Sequence, residues 1–240
     1  MAKRDKYTAP RNPQRYADES TEDVPSAQDT LKGIERWYES NKKILNGILL
    51  GGLLIVAAFF IYNRFLKAPK NLKANNAVFM AQDYFANDSM KLALNGDGNN
   101  YGALKVADKY GSTDAGNLAH FYAGRAYLAN GKYKEAIEEL KDFDGRGTMP
   151  GTVANGCIGD AYMELNQPKE AITYYQKATS DANDVYLTPL YLERLGIVYE
   201  QIGKTDEAIQ AFKRIKMEFP SSGQARSVEK YLARLGDYSL

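Results

Sequence analysis

The chain offers few residues that could catalyse a reaction or bind a metal. It has a single cysteine, Cys157, and a single histidine, His120. An intrachain disulfide and a zinc site built from clustered cysteines and histidines are therefore excluded by count. A Cys–His nucleophile pair would need a third group that orients the histidine, and Cys157 lies in a helical pattern with no such group in view. The sequence therefore argues against thiol catalysis.

One loop partly matches the template of a calcium-binding loop. Asp97, Asn99, Gly102 and Asp108 stand at positions 1, 3, 6 and 12 of that template. However, its fifth position is Tyr101, and its last position carries Asp where a bidentate Glu is expected. Because Asn-Gly and Asp-Gly are also common turn pairs, we expect an ordinary turn without calcium.

The remaining chemistry-bearing patterns are equally weak. Paired carboxylates such as Glu138 and Glu139 fall on the solvent face of a predicted helix. The sequence contains no nucleophile elbow, phosphate-binding loop or HExxH motif. We therefore expect no enzyme activity, no catalytic residues, no metal, no cofactor and no small-molecule substrate. The near balance of 31 basic and 30 acidic residues gives no electrostatic indication of nucleic acid binding.

The first part of the chain cannot form a core. Residues 1–27 are charged, contain three prolines and carry almost no aliphatic side chains, which predicts a disordered tail. Residues 28–43 follow as a predicted helix before the membrane, because Leu31, Ile34 and Trp37 share one helical face.

Residues 44–63 form an apolar run without a charged residue. As a helix it would span roughly 30 Å, the thickness of a bilayer's hydrocarbon core. A buried core helix seldom runs this long without a polar face, and a cleaved signal peptide would need a small-residue cleavage site that is missing here. Lys42 and Lys43 flank one end, and Arg64 and Lys67 flank the other. The sequence therefore predicts an uncleaved transmembrane helix.

The orientation of this span cannot be read from charge. Within about 20 residues of the span, the number of basic residues before it equals the number after it. Gly47 and Gly51 have the GxxxG spacing, which allows close packing against another membrane helix. We treat this pair as a candidate helix-packing face.

Residues 71–240 contain three copies of one helical hairpin pattern, at 123–143, 158–178 and 195–215. In each copy a glycine precedes a tyrosine by three residues, and an alanine follows that glycine by twelve. A bulky residue then comes four positions after the alanine. The glycines are Gly124, Gly159 and Gly196, and the bulky residues are Leu140, Tyr175 and Phe212.

This pattern resembles the tetratricopeptide repeat, a helix–turn–helix unit of about 34 residues with small residues where its two helices approach. Three copies in one register make an irregular helical bundle a poor alternative. The resemblance implies an all-α solenoid, with a frayed first repeat and a final helix that covers the last repeat. The predicted boundaries are 71–110 for the degenerate repeat, 117–150, 152–185 and 189–222 for the repeats, and 222–236 for the capping helix.

Stacked repeats of this family line a concave surface with residues of their first helices, and such surfaces bind peptide segments. The family's groove positions map here to twelve residues. They are Leu118, Phe121, Arg125, Leu128, Val153, Asp160, Met163, Glu164, Leu190, Glu193, Ile197 and Glu200. Phe121 and Arg125 stand where one subfamily carries the Lys and Asn that grip chaperone carboxylates, so that clamp is missing. The mixed apolar and charged groove suits loosely specific contacts, although some of these residues could instead pack against the cap or the first repeat.

The order of segments is similar to the bacterial ancillary subunit family of the SecYEG translocon. The local features are WYESNKK before the apolar run, the ALNGDG insertion, KYGSTDAGNLA and the three GxxY…EAI hairpins. The resemblance implies a cytoplasmic tail, one helix through the inner membrane and periplasmic repeats. It also implies a non-enzymatic accessory role whose partners are the translocon, periplasmic chaperones and unfolded secreted chains.

Two other functions stay open at this point. The repeats could form a periplasmic scaffold of another envelope machine, such as outer-membrane protein assembly or cell division. Related scaffolds are often lipid-anchored, and no cysteine stands near this N-terminus to carry a lipid. The chain could also be an organelle import receptor with cytosolic repeats, which requires the opposite topology and usually the chaperone clamp.

Overall fold

The computed structural model describes residues 26–180 and 184–238. Most of the predicted disordered tail, residues 1–25, lies outside the described residues, as do residues 181–183 of the predicted repeat 152–185. The chain divides into two units, residues 1–61 and 62–240. The described residues of the second unit contain helices and turns, with one isolated bridge between Gly96 and Tyr101.

The first unit is described as one helix, α1, Ala27–Ile61. Ser26 begins it, because its hydroxyl oxygen accepts the Asp29 backbone N–H at 3.3 Å and satisfies one free donor of the first turn. The predicted helices 28–43 and 44–63 are thus not separate elements. The observed helix ends at Ile61, two residues before the end of the predicted span. An 18-residue window here has a mean hydropathy of 2.5, long and apolar enough to cross a membrane.

The second unit begins with a π-helix, Tyr62–Lys67, and continues as ten α-helices among its described residues. Helices α2 to α4 make the degenerate first repeat, α5 to α10 make three helical hairpins, and α11 covers the last hairpin. The bounds are α2 Ala68–Ala86, α3 Met90–Asn95, α4 Ala103–Tyr110, α5 Asp114–Ala129, α6 Tyr133–Asp142, α7 Met149–Glu164, α8 Pro168–Ala178, α9 Leu187–Gln201, α10 Thr205–Glu218 and α11 Ala225–Arg234.

Each of the three hairpins turns through a residue in the left-handed region. Gly131, Asn166 and Gly203 have φ values of 72°, 56° and 76°. They lie seven residues after the aligned glycines, two residues beyond the end of the first helix of each hairpin. Glycine and asparagine tolerate this conformation better than other residues. In the second hairpin, Pro168 then begins α8 at a position where its missing N–H costs nothing.

The aligned glycines hold the two helices of each hairpin together. A Cβ atom at Gly124 would lie 2.5 Å from Leu140 Cγ, and one at Gly159 would lie 2.6 Å from Tyr175 Cε1. At the third position, Gly196, the same distance to Phe212 Cε1 is 2.6 Å. Three glycines therefore face the three bulky residues that the sequence pattern paired with them, and the all-helical repeat fold is confirmed.

The degenerate repeat has its second helix split into α3 and α4. Asp97 stabilises the intervening turn, since its carboxylate accepts the backbone N–H groups of Asn99 and Asn100 at 2.9 Å and 2.6 Å. The Tyr84 hydroxyl donates a further hydrogen bond to it at 2.8 Å. Hydrogen bonds from the Asn100 backbone and from Tyr84 lower the pKa of Asp97 to about 2. This carboxylate of the calcium-like loop is thus engaged in holding the turn.

Helix α11 closes the C-terminal end of the solenoid. Val228 and Leu232 are buried against the last hairpin. The Tyr231 ring stacks on Phe212 with ring centroids 4.7 Å apart. Arg226, Glu229 and Lys230 of α11 are exposed, so the outer face of the cap is polar.

Candidate functional site: a groove across the first helices of the hairpins

The first helices of the three hairpins, α5, α7 and α9, line an open groove of about 520 Å³. Its apolar floor is formed by Leu128 of α5, Met163 of α7, and Ile197 and Val198 of α9. These side chains come together because the first helices of successive hairpins lie beside one another, with α5 contacting α7 and α7 contacting α9. The groove is open to solvent along its length, which suits an extended segment better than an enclosed small molecule.

A charged pair crosses the groove between α7 and α9. The Arg194 guanidinium donates a hydrogen bond to one oxygen of Asp160, and the Tyr175 hydroxyl donates to the other at 2.7 Å. Both charged side chains are partly exposed, at 38% for Arg194 and 28% for Asp160. Burial, followed by the charge and hydrogen bond of Asp160, raises the pKa of Tyr175, so this phenol stays neutral and acts as a donor. The pair neutralises the centre of the groove and fixes the spacing between its two helices.

The edge of the groove near α6 is polar. The hydroxyl of Tyr133 is hydrogen-bonded to Glu164, and this bond raises the pKa of the tyrosine. Glu164 itself is exposed at the end of α7. An incoming segment would therefore meet an apolar floor bordered by a carboxylate and a phenol.

Five of the twelve predicted groove residues line this groove together: Leu128, Asp160, Met163, Glu164 and Ile197. Four of the five occupy the positions one and four residues after the aligned glycine. On a helix these positions share a face with each other, and that face is turned to the groove.

The predicted positions three and six residues before the glycine do not line the groove. Phe121, a predicted groove residue, is only 6% exposed and packs on Phe143 with ring centroids 5.2 Å apart, so its side chain lies in the core. Leu118, Val153 and Leu190 are half-buried against the hydrophobic core clusters. These positions fill the space between neighbouring repeats.

The two ends of the predicted site are occupied by other parts of the chain. At one end the Arg125 guanidinium lies over the Phe85 ring of α2, 4.6 Å from its centroid. At the other end Glu200 accepts hydrogen bonds from Arg234 of α11 at 2.7 Å and 2.5 Å. The Ser227 hydroxyl of α11 donates to Glu193 at 3.0 Å. The first repeat and the cap therefore confine the accessible groove to its centre.

Sequence reasoning missed four groove residues: Tyr133, Tyr175, Arg194 and Val198. Arg194 lies two residues before the aligned glycine, where the other hairpins have Tyr122 and Cys157. A charged residue at a position that is uncharged in the other two hairpins was the feature of the sequence that could have identified Arg194. Tyr133 comes from the second helix of a hairpin, which the family's groove positions do not include.

Two other features considered in the sequence lie outside the groove. A Cβ atom added at Gly47 or Gly51 would meet nothing within 4 Å, so the helix-packing face stays a prediction. Cys157 is half-buried, and burial followed by the charge of Asp160 raises the pKa of its thiol to about 11. A thiol with so high a pKa is a poor nucleophile at neutral pH.

Comparison with known proteins agrees with this geometry. Residues 103–146 and 158–223 match the family model described as the tetratricopeptide repeat. These two segments are similar to that family and include α4 of the degenerate repeat and most of the three hairpins. Repeats of this kind are typically protein-interaction modules.

Two other known proteins are similar to parts of this chain. A TPR repeat-containing protein, MJ1428, from Methanocaldococcus jannaschii is 29% identical over 112 residues, which is 47% of this chain and 18% of that protein. The chain thus spans less than a fifth of that relative's length. The crystal structure of MamA protein is 20% identical with a TM-score of 0.46, covering 70% of this chain and 96% of that one.

Proposed function

We propose that the chain is a single-pass scaffold of the bacterial inner membrane, with a cytoplasmic N-terminus and periplasmic tetratricopeptide repeats. In this role it is an accessory of the SecYEG translocon that passes emerging secreted chains to periplasmic chaperones. The observation that carries the proposal is the open groove across α5, α7 and α9. The long apolar helix α1 supports the membrane anchor, and the order of segments supports the translocon family.

The chemistry of the groove suits short, extended and poorly folded segments. Its floor presents Leu128, Met163 and Ile197, which can bury apolar side chains of a bound segment. Its central charges, Asp160 and Arg194, already neutralise each other, so they place no strong demand on a partner's charge. Apolar contact without a charge clamp gives weak and broad specificity, as handling of emerging chains requires.

A matched pair of methionines tests the groove. Met163 lies in the groove, whereas Met217 is 67% exposed near the end of α10 and does not line it. The full chain in detergent is titrated with a fluorescent, carboxymethylated and permanently unfolded polypeptide. Burying one such side chain is worth about 1.5–3 kcal/mol, so Met163→Asp should weaken binding roughly tenfold or more. Met217→Asp should leave the affinity unchanged, and equal losses for both variants would contradict the proposal.

The topology is tested separately. In intact cells an external protease should leave the repeats intact, and it should cleave them once the outer membrane is permeabilised. Cleavage only after the inner membrane is opened would show cytosolic repeats and reject the periplasmic role.

The alternative function is a scaffold for one defined partner in outer-membrane protein assembly or cell division. That scaffold would also use the groove, but the unfolded polypeptide would not compete with its partner. Failure of the wild-type chain to bind the unfolded polypeptide would therefore favour this alternative.

A further inference from the structure

The two ends of the repeat solenoid differ in how far a helix covers them. At the C-terminal end, α11 buries Val228 and Leu232 and covers the last hairpin. At the N-terminal end, α2 packs with one face on α3, α4 and α5, burying Ala74, Val78 and Ala81. Within the described part of the second unit, no helix covers the opposite face of α2. A solenoid end without a polar cap exposes apolar surface that a soluble domain would otherwise hide.

The uncovered side carries large apolar residues at a regular spacing. Phe65 of the π-helix is 70% exposed, and Leu72 and Phe79 of α2 are each 63% exposed. The three residues follow one another at intervals of seven. On α2 this interval is nearly two helical turns, so Leu72 and Phe79 share one face. We call Phe65, Leu72 and Phe79 the α2 stripe.

We propose that the α2 stripe pairs with the α2 stripe of a second copy of this chain, so that the anchored protein is a parallel dimer. The inference rests on the membrane anchor of the proposed function and is independent of what the groove binds. In two copies that are each anchored by their own α1, the second unit begins on the same side of the membrane. Their α2 helices then run in the same direction, and residues with the same number lie opposite each other.

Heptad spacing suits this parallel arrangement. In a parallel, in-register pair, Leu72 meets Leu72 and Phe79 meets Phe79 of the second copy, as at the core positions of a coiled coil. Exposed Asn75 and Asn76 lie between them on the same helix. Because an amide both donates and accepts, each can bond to its own counterpart. The surface is thus complementary to itself, as a two-fold interface must be.

The size of the α2 stripe predicts a dimer that depends on the membrane. From typical areas of aromatic and leucine side chains, the three residues expose roughly 350 Å² per copy. Stable interfaces between soluble proteins bury about 1,200–2,000 Å² in total, which is more than the stripe alone supplies. Anchoring both copies in one membrane raises their effective concentration, which compensates for a small interface.

Site-directed cross-linking of the full chain in native membranes tests the pairing. Leu72→Cys and Phe79→Cys are oxidised, and each should give a disulfide-linked species of twice the chain's mass. Lys73→Cys is the matched control, because Lys73 is exposed on the same helix but lies about 100° around it from Leu72 and about 120° from Phe79. The dimer fraction at Leu72 and Phe79 should exceed that at Lys73 at least several-fold.

The outcomes separate the dimer from the anchor on which it rests. Equal cross-linking at Lys73 would indicate random collision and overturn the pairing. An adduct of another mass would show that a different protein covers the stripe, and would also overturn it. Carbonate extraction of the same membranes reports the anchor. A chain that stays in the pellet without a dimer refutes the pairing alone, and a chain that is extracted refutes the anchor and the dimer together.

Discussion

Substituting Gly159 tests the register of the three hairpins at its most crowded point. A Cβ atom there would lie 2.6 Å from Tyr175 Cε1 and 2.7 Å from Cδ1, distances that real side chains do not adopt. The Tyr175 ring is also restrained, since its hydroxyl donates to Asp160 at 2.7 Å and the ring stacks on Tyr191 with centroids 6.4 Å apart. Gly159→Leu must therefore displace a ring that is held on two sides.

Three costs and one gain set the size of the effect. Overpacking costs about 1–3 kcal/mol. Losing a hydrogen bond to a charged group costs about 1.5–3 kcal/mol, and disturbing an aromatic pair costs about 0.5–1.5 kcal/mol. The better helix propensity of leucine returns about 0.8 kcal/mol. We expect Gly159→Leu to lower the free energy of unfolding by about 3 kcal/mol or more, and the Tm by roughly 6–12 °C for a domain of this size.

The assay is urea and thermal unfolding of the full chain in detergent, followed by circular dichroism at 222 nm. The anchor helix stays helical in the micelle and contributes a constant baseline. Gly223→Leu is the control, because a Cβ at Gly223 meets nothing within 4 Å and this glycine has no positive φ. A Gly159→Leu variant within 0.5 kcal/mol of wild type would refute the hairpin register.

Three further predictions concern other contacts of the repeats. Arg194→Gln should cost about 0.5–1.5 kcal/mol of unfolding free energy, discounted for the exposure of its ion pair. In the same assay Arg146→Gln should leave the unfolding free energy unchanged, because the Arg146 side chain is 91% exposed. His120 is hydrogen-bonded to Glu139 at 2.8 Å, which raises the pKa of the histidine, so the pair stabilises the fold fully below about pH 6.5 and the stabilisation is lost as pH rises through the folded pKa. The wild type should therefore lose stability over that pH range relative to Glu139→Gln. A difference between the two proteins that stays constant with pH would contradict the pairing. Leu232→Ala should destabilise by about 2–5 kcal/mol through the cavity left under the cap, and no change in the urea midpoint would show that α11 is not a structural part of the domain.

The sequence predicts the fold well because the repeat pattern reports packing directly. Each small residue stands where two helices touch, and each bulky residue fills the resulting space. Gly159 and Tyr175 can be paired from spacing alone, since three copies share the same register. The turn residues are equally informative, because the left-handed backbone at Asn166 and its equivalents restricts which residues fit there.

The groove is only partly predictable from the sequence. The position of a residue within the repeat does not show which neighbouring element packs over its side chain. Phe121 and Arg125 occupy surface positions of a generic repeat, but here they meet Phe143 and the degenerate first repeat. Glu200 is likewise accessible in a repeat without a cap, and α11 removes it from the groove. The identity of these neighbours depends on long-range contacts that local spacing does not encode.

The boundary after the apolar helix is also set by more than composition. The apolar run ends at Asn63, whereas α1 ends at Ile61 and the second unit begins with the π-helix Tyr62–Lys67. The change from α-helical to π-helical hydrogen bonding depends on local backbone geometry that composition does not encode.

Photo-cross-linking in intact cells tests the central claim most directly. A photoreactive amino acid replaces Met163 in the groove or Met217 outside it, and captured proteins are identified by mass spectrometry. Phe121 is unsuitable because its side chain is buried. We predict that Met163, but not Met217, captures translocon subunits, emerging envelope proteins or periplasmic chaperones. The same set of proteins captured from both positions, or no capture from Met163, would contradict a binding function of the groove.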